Sequence, residues 1–364
     1  MNTRRPSNPY RNLPDFTRWS RAIAGVNFHE VDPVTNFQFK ISRSDKVATA
    51  GSCFAQHIAR HLQNDGYNYF VPESAHPMLN VSSGLAQIYN YGTFSARYGN
   101  IYTTRQLLQL MKRAFGEFEP REGAWTIPSG RKVDPLRPTI QPNGFINEDE
   151  MLQDRAQHLA HVRSMFEQAD VFVFTLGLTE HWFCREDGTV LPVCPGVAGG
   201  EFSDEKYAFA NLNVSEVVAD LNEFLIKLRT INPSIRAILT VSPVPLAATA
   251  ISRHVLVSTT YSKSVLRVAA ETVCELHDNV AYFPSYEIIT GSYNRGRYYD
   301  DGLREVTEEG VGHVMRLFMK HVASENEQTP LPASPVQEND LYTSLGKAVQ
   351  TVCEEALLDN AYQE

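Results

Sequence analysis

The sequence predicts an α/β fold, a three-layer α/β/α sandwich around a mainly parallel central sheet, on three observations. The runs VFVFTL (171–176) and AILTV (237–241) are apolar throughout, as expected of strands covered on both faces. Long amphipathic stretches of helical period separate them, which favours parallel strands joined by crossover helices. Small residues, Gly51 and Gly177, stand where two of the strands end. Open sheets of this class gather function at those carboxyl ends.

Taken in order, residues 1–45 form an N-terminal arm rich in Pro, Asn and aromatics, expected to wrap on the body. Lys46–Ala50 reads as a short strand, and Phe54, Ile58 and Leu62 recur at helical spacing after it. Residues 65–100 are rich in loop-forming residues. Gln106–Phe115 has the period of an amphipathic helix. Pro and Gly at short intervals mark 117–148 as an insertion with short strands. A helix over Glu148–Ala169 leads to the first buried run. Residues 183–210 are expected as a long loop, a length that usually signals function or disorder. Helix 214–230, strand 237–241, helix 262–277 and a strand near Val280–Phe283 continue the alternation. The last framework helix begins near Thr307, with Val311, Val314, Met315, Phe318 and Val322 as its apolar stripe. One domain over 46–323 fits this better than two. A polar, Pro-bearing linker (324–340) leads to an acidic helical tail (341–364), which could dock on its own body or on a second copy.

The bulk numbers exclude several functions. With 364 residues and a net charge of −9, the chain lacks the basic balance of a general nucleic-acid binder. Its five cysteines are scattered and form no CxxC pair, which argues for a reduced, cytoplasmic setting without a disulfide framework or zinc site. No run approaches the ~18 apolar residues of a membrane span. No cofactor is expected. His57 and His61 have the spacing of a zinc helix, but Ile58 stands where a metalloprotease carries Glu. Tyr261-Ser262-Lys263 matches a dehydrogenase triad in letters only, since no GxGxxG loop follows the first strand.

Three stretches could carry chemistry. Gly51-Ser52-Cys53-Phe54-Ala55 puts a hydroxyl and a thiol where a strand hands over to a helix. The free N–H groups and dipole of a helix start favour a thiolate and an oxyanion; a Ser cap followed by a buried Cys is the plainer reading. Gly177-Leu178-Thr179-Glu180-His181-Trp182 follows the first buried strand and could line a site or merely cap a helix. Asp300-Asp301, before the last helix, precede His313, which lies opposite that helix's apolar stripe and would otherwise be a solvated surface residue. His158 and His161 are placed on a solvated helix face.

Five stretches together resemble the GSCFA family: GSCFA itself, FSARYGNIYTTRQLLQL (94–110), FTLGLTEHW (174–182), VSPVPLAATAISRHVLVSTTYSKSVLR (241–267) and DDGLREVTEEGVGHVMRLF (300–318). The family is grouped with the SGNH, or GDSL-like, hydrolases. That resemblance implies a flavodoxin-like sheet order and esterase or acyltransferase chemistry, often on carbohydrate O-acyl groups. Laid on the superfamily's Gly-Asp-Ser-Leu block, Cys53 takes the nucleophile's place and Ser52 neighbours it; a slip of one residue would exchange them. The second block implies Gly84, or less well Gly92 or Gly99, as an oxyanion donor. In the third block Thr179 replaces an Asn donor, after Gly177 and before Glu180. In the fourth, Asp301 matches the Asp, but Arg304 stands at the expected His position. His313, His254 or His181 would have to supply the imidazole, unless the more acidic thiol relaxes that need.

The resulting expectation is an acyl-transfer enzyme acting on a glycan or small acyl ester. Cys53 or Ser52 is the nucleophile, Asp301 with His313 or His254 the proton relay, Gly84 and Thr179 the oxyanion hole. Gly177, Glu180 and His181 contact substrate. The alternative is a non-catalytic binding or scaffold protein on the same fold, possibly in polysaccharide assembly.

Overall fold

The computed structural model describes residues 8–77, 84–324 and 357–358. In chain order the regular elements are α1 (Trp19–Ala22), β1 (Val47–Gly51), α2 (Ala55–Asn64), α3 (Leu85–Ile88), α4 (Thr104–Ala114), β2 (Trp125–Thr126), β3 (Lys132–Val133), α5 (Glu148–Gln168), β4 (Val171–Leu176), β5 (Glu180–Cys184), β6 (Val190–Leu191), β7 (Tyr207–Asn211), α6 (Val214–Ile231), β8 (Arg236–Val241), α7 (Val255–Leu276), β9 (Val280–Tyr282), α8 (Ser285–Thr290) and α9 (Glu308–Val322). Four strands pair in parallel in the order β1-β4-β8-β9. A parallel bridge from Tyr69 to Val47 adds a rudimentary strand outside β1. The full order is therefore that of a flavodoxin-like sheet, with its topological switch between β1 and β4.

Period-two alternation sends the two faces of each strand to separate cores. Val171, Val173 and Ile238 pack with Phe54, which caps α2, with Ile58 of α2 and with Val314 and Phe318 of α9. Phe172, Phe174 and Leu239 face the other way, onto Phe166 of α5, Phe224 of α6 and Leu266 of α7. Both layers of helices are thereby fixed by a sheet buried on both sides. Caps set several helix starts. The Asn147 side chain accepts from Glu150 N in α5, and Asn213 forms a reciprocal capping box with Glu216 in α6.

Two regions depart from the sequence expectation. Residues 183–210, expected as a loop, contribute to a three-stranded antiparallel sheet, β6-β5-β7. The signal for the hairpin was the Asp187-Gly188 pair, with Gly188 at φ +75°, a left-handed turn position that suits glycine. Trp182 packs edge-on against Phe209 and Phe202 across that sheet. His158, placed on a solvated face, is fully buried and donates from Nδ1 to Glu73 at 2.7 Å. It belongs to an internal ion network that bolts the 117–148 insertion to α5. Asp134 bonds Arg137 (3.0 Å) and Arg155 (2.6 Å), and Asp154 bonds Arg137 (2.8 Å) and Arg97 (3.0 Å). Helical period alone cannot reveal a face covered by polar partners.

The N-terminal arm is attached by its second half. Val31, Val34, Phe37 and Ile41 are buried, and Ile41 bridges to Ala323. Of the tail helix expected over 341–364, only Leu357 and Leu358 lie within the described residues.

The end of β1 fixes the whole arrangement. Gly51 has φ +143°, and a Cβ there would stand 2.5 Å from Thr175 O. Gly51→Ala is expected to destabilise the fold by about 2–3 kcal/mol, from backbone strain and steric conflict at the sheet's centre. Urea unfolding followed by circular dichroism measures this; an unchanged midpoint would contradict the placement of the two strand ends.

Candidate functional site

Beyond Gly51 the chain bends and starts α2. Ser52 N donates to Thr175 O at 3.2 Å, and Ala55 N and Gln56 N donate back to Ser52 O and Cys53 O. The hydroxyl and thiol therefore sit at the start of a ten-residue helix, whose first N–H groups are taken up by the carbonyls of the turn itself. The segment beside them is 98–102. Ile101 N donates to Gly51 O at 2.8 Å, and the N–H groups of Gly177 and Leu178 both donate to Tyr102 O. Buried Asn100 accepts from Gln56 Nε2, on the first turn of α2.

The element that sequence reasoning missed is Lys263. It is buried to 1% exposure on α7, and its Nζ donates to Gly177 O at 2.7 Å. Ser52, Cys53, Gly177, Ser242 and Lys263 surround one small space. Next to Lys263, Ser262 Oγ accepts from Thr179 N at 3.1 Å. The available signal was a lysine on an apolar stripe, with Leu266 and Ala270 at i+3 and i+7, a place where a charged head needs a specific partner. Ser52 is 3% and Cys53 7% exposed, and the space between them is too small for a water molecule. Among the described residues, Ser52 Oγ has no hydrogen-bond partner. A buried hydroxyl in that state carries an uncompensated desolvation cost.

An apolar pocket of about 310 Å³ adjoins this space, and Tyr102 and Leu178 line both. β5 contributes Glu180, His181 and Trp182 to its wall, and the segment after β8 contributes Leu246 and Thr249. Glu180 is held across the pocket, accepting from Thr249 Oγ1 (2.7 Å) and Ala250 N.

The structure separates the residues expected to act together. Gly177 lies beside Ser52, while Glu180 and His181 line the larger pocket. Thr179 is buried, and its hydroxyl donates to Asn211 at 2.6 Å, so that proton is directed away from the turn. Gly84 is exposed and opens the short α3; Gly99, with Asn100, belongs to the segment that meets the turn. Asp301 is exposed and takes part in no hydrogen bond or ion pair among the described residues. Asp300 instead holds that turn, accepting from Arg304 N and Glu305 N. His254 caps α7 at the surface, accepting from Leu256 N. Among the described residues, no histidine lines the space around Ser52 and Cys53.

His313 is also a correction. Rather than facing solvent, it is 1% exposed, with Nε2–H donating to Val31 O (3.0 Å) and Nδ1 accepting from Tyr298 OH (2.6 Å). The arm residue Val31 covers the helix side that the apolar stripe left open. Burial pushes His57, His158, His181 and His313 each down to about 4. They are neutral at pH 7. The unfolded chain, with histidines near 6.5, binds more protons between pH 6.5 and 4, so stability is full above this window and falls as pH drops through it. Urea unfolding at pH 7 and pH 5 is expected to show a loss of several kcal/mol; a flat profile would contradict neutral burial.

Among the described residues, no helix is long and apolar enough to cross a membrane. A comparison with curated proteins finds no match. The GSCFA family model matches residues 46–318, from the start of β1 to the middle of α9, so it spans the sheet, both helix layers and the turn that bears Ser52 and Cys53. The chain belongs to the GSCFA family.

Proposed function

We propose that this protein is an acyl-transfer enzyme, an esterase or O-acyltransferase, with Cys53 as its nucleophile and Lys263 in the place usually taken by histidine. One observation carries the reading: a thiol at a helix start and a buried lysine line the same small space, beside an apolar pocket. A neighbouring cation and a helix N-terminus both favour the thiolate, the form that attacks carbonyl carbon.

In the proposed reaction Cys53 Sγ⁻ attacks the acyl carbonyl. The positive end of the α2 dipole favours the resulting oxyanion. As the tetrahedral adduct collapses, the bond to the leaving oxygen breaks and that oxygen takes a proton from Lys263. A thioester remains on Cys53. Water or an acceptor hydroxyl then attacks the thioester, giving its proton to neutral Lys263, and the thiolate leaves. Lys263 begins and ends as the ammonium, so protons balance over the cycle. The closed space requires that the turn open by a small rearrangement, at Tyr102 or Leu178, when the acyl group enters.

A reading without chemistry, binding alone, is favoured by the same tightness and, among the described residues, by the lack of a histidine lining the space at the turn. Thiol chemistry separates the two. Burial pushes the Cys194 thiol up to about 11 and, with Glu271 adding to it, the Cys274 thiol up to about 12, so both are poor competitors for alkylation. Iodoacetamide at pH 6, followed at Cys53 by peptide mapping, is expected to modify that thiol at least ten times faster than in Lys263→Met. In a screen of p-nitrophenyl esters, Cys53→Ala is expected to lose at least 100-fold in kcat/KM, with Ser52→Ala less affected. Full turnover by both Cys53→Ala and Ser52→Ala would contradict this mechanism, and no turnover of any ester by the unaltered protein would leave the binding reading standing.

A further inference from the structure

The 310 Å³ pocket beside the turn is walled mainly by hydrocarbon, yet a half-buried acid stands in that wall. Alternation along β5 puts Glu180 and Trp182 on the same face, and antiparallel pairing sets Phe209 of β7 opposite Trp182. All three line the pocket, among Leu178, Val193 and Leu246. The two rings meet with their centroids 5.5 Å apart. A carboxylate set among apolar side chains carries a cost unless something offsets its charge.

A chain of hydroxyls fixes Glu180 as an acceptor. Arg253 Nε donates to Ser258 Oγ (2.9 Å), which donates to Thr249 Oγ1 (3.0 Å). Thr249 Oγ1 also accepts from Ile251 N, so its own proton goes to Glu180 Oε1 at 2.7 Å. Ala250 N donates to the second oxygen at 3.3 Å. Both oxygens are thus held by donors, which suits an ionised acid. Two hydroxyls separate it from the Arg253 guanidinium, and among the described residues Glu180 forms no ion pair. Other polar members of the wall are engaged elsewhere. Thr103 caps α4 by accepting from Gln106 N, and Gln106 accepts from Tyr102 N and donates to Asn100 O. His181, pushed down to about 4 by burial, brings no positive charge. A polyhydroxylated guest would therefore find few partners. A cation with a hydrocarbon body needs only what this wall supplies: a carboxylate, two aromatic rings and apolar contact. The chain's net charge of −9 attracts the same class of molecule.

We propose that this pocket recognises an organic ammonium group, with Glu180 as its counter-charge and Trp182 and Phe209 as its aromatic wall. The pocket shares Tyr102 and Leu178 with the space around Ser52 and Cys53, so the substrate class is an ester that carries an ammonium group. That last assignment rests on the acyl-transfer reading; recognition of the ammonium does not.

Isothermal titration calorimetry of the full chain at low salt tests this, with choline as the probe and 3,3-dimethylbutan-1-ol as its uncharged isostere. Methyl β-glucoside represents polyhydroxylated guests. Choline is expected to bind about tenfold more tightly than the isostere, and the glucoside more weakly than either. Glu180→Gln is expected to erase the preference for the cation while leaving affinity for the isostere within about twofold. Trp182→Leu is expected to weaken choline about fivefold. Absence of choline binding, or equal affinity for choline and the isostere, would overturn the proposal. So would tighter binding of the glucoside, or a preference that survives Glu180→Gln. The comparison of guests uses the unaltered chain, so it decides the matter even if a variant fails to fold. No turnover is read, so a failure of the Cys53 chemistry would show in the ester screen and leave this result unchanged.

Discussion

Everything at the centre of this molecule depends on how closely two backbones approach at the ends of β1 and β4. Gly51 lies opposite Thr175, and Gly177 lies against Ser52 and Tyr102, where a Cβ would stand 3.0 Å from both Ser52 Cβ and Tyr102 O. Glycine at both positions lets the strands end flush, so that the 98–102 segment can bond to each in turn. Ile101 reaches Gly51 O, and Tyr102 O collects the N–H groups of Gly177 and Leu178. This packing fixes where α2 starts, and with it the positions of the hydroxyl and thiol. It also leaves the Gly177 carbonyl turned toward Lys263 Nζ.

The site is therefore a product of backbone geometry more than of side-chain recruitment. The resemblance to the SGNH hydrolases implied an Asp and a His brought to the nucleophile on one loop. Here the corresponding turn keeps itself folded through Asp300, leaves Asp301 in solvent and anchors by Tyr299 OH to Pro243 O. The polar group that does reach the turn comes from the opposite side, on α7. A buried lysine in place of an imidazole suits a thiol better than a hydroxyl, because a thiolate needs a counter-charge more than it needs a base. In the proposed reaction Cys53 and Lys263 would thus complement each other chemically in a way that either residue alone does not.

How much of this was legible in the sequence depends on what each residue's neighbours had to be. The four central strands were readable, because strands buried on both faces are apolar throughout and VFVFTL or AILTV admit few alternatives. The turn at Gly51 was readable for the same reason: a small residue between a buried strand and an amphipathic helix has few other uses. The antiparallel sheet after β4 was hidden by a two-residue strand and mixed polarity, although Asp187-Gly188 announced its hairpin. His158 and His313 were misread because a helical wheel reports period, not cover. The covers, Glu73 and Val31, lie 85 and 282 residues away in sequence. Lys263 was passed over for a related reason. Its significance depends on the Gly177 carbonyl, 86 residues earlier, and nothing local to either residue announces the contact.

The central claim is that the thiol at position 53, partnered by the α7 lysine, forms a covalent acyl intermediate. Intact-protein mass spectrometry after brief exposure to p-nitrophenyl butyrate, followed by peptide mapping, tests it most directly. A butyryl adduct on the peptide bearing Cys53, removed by neutral hydroxylamine and absent from Cys53→Ser, is the result expected. An adduct confined to other residues, or none while the ester is being hydrolysed, would contradict it.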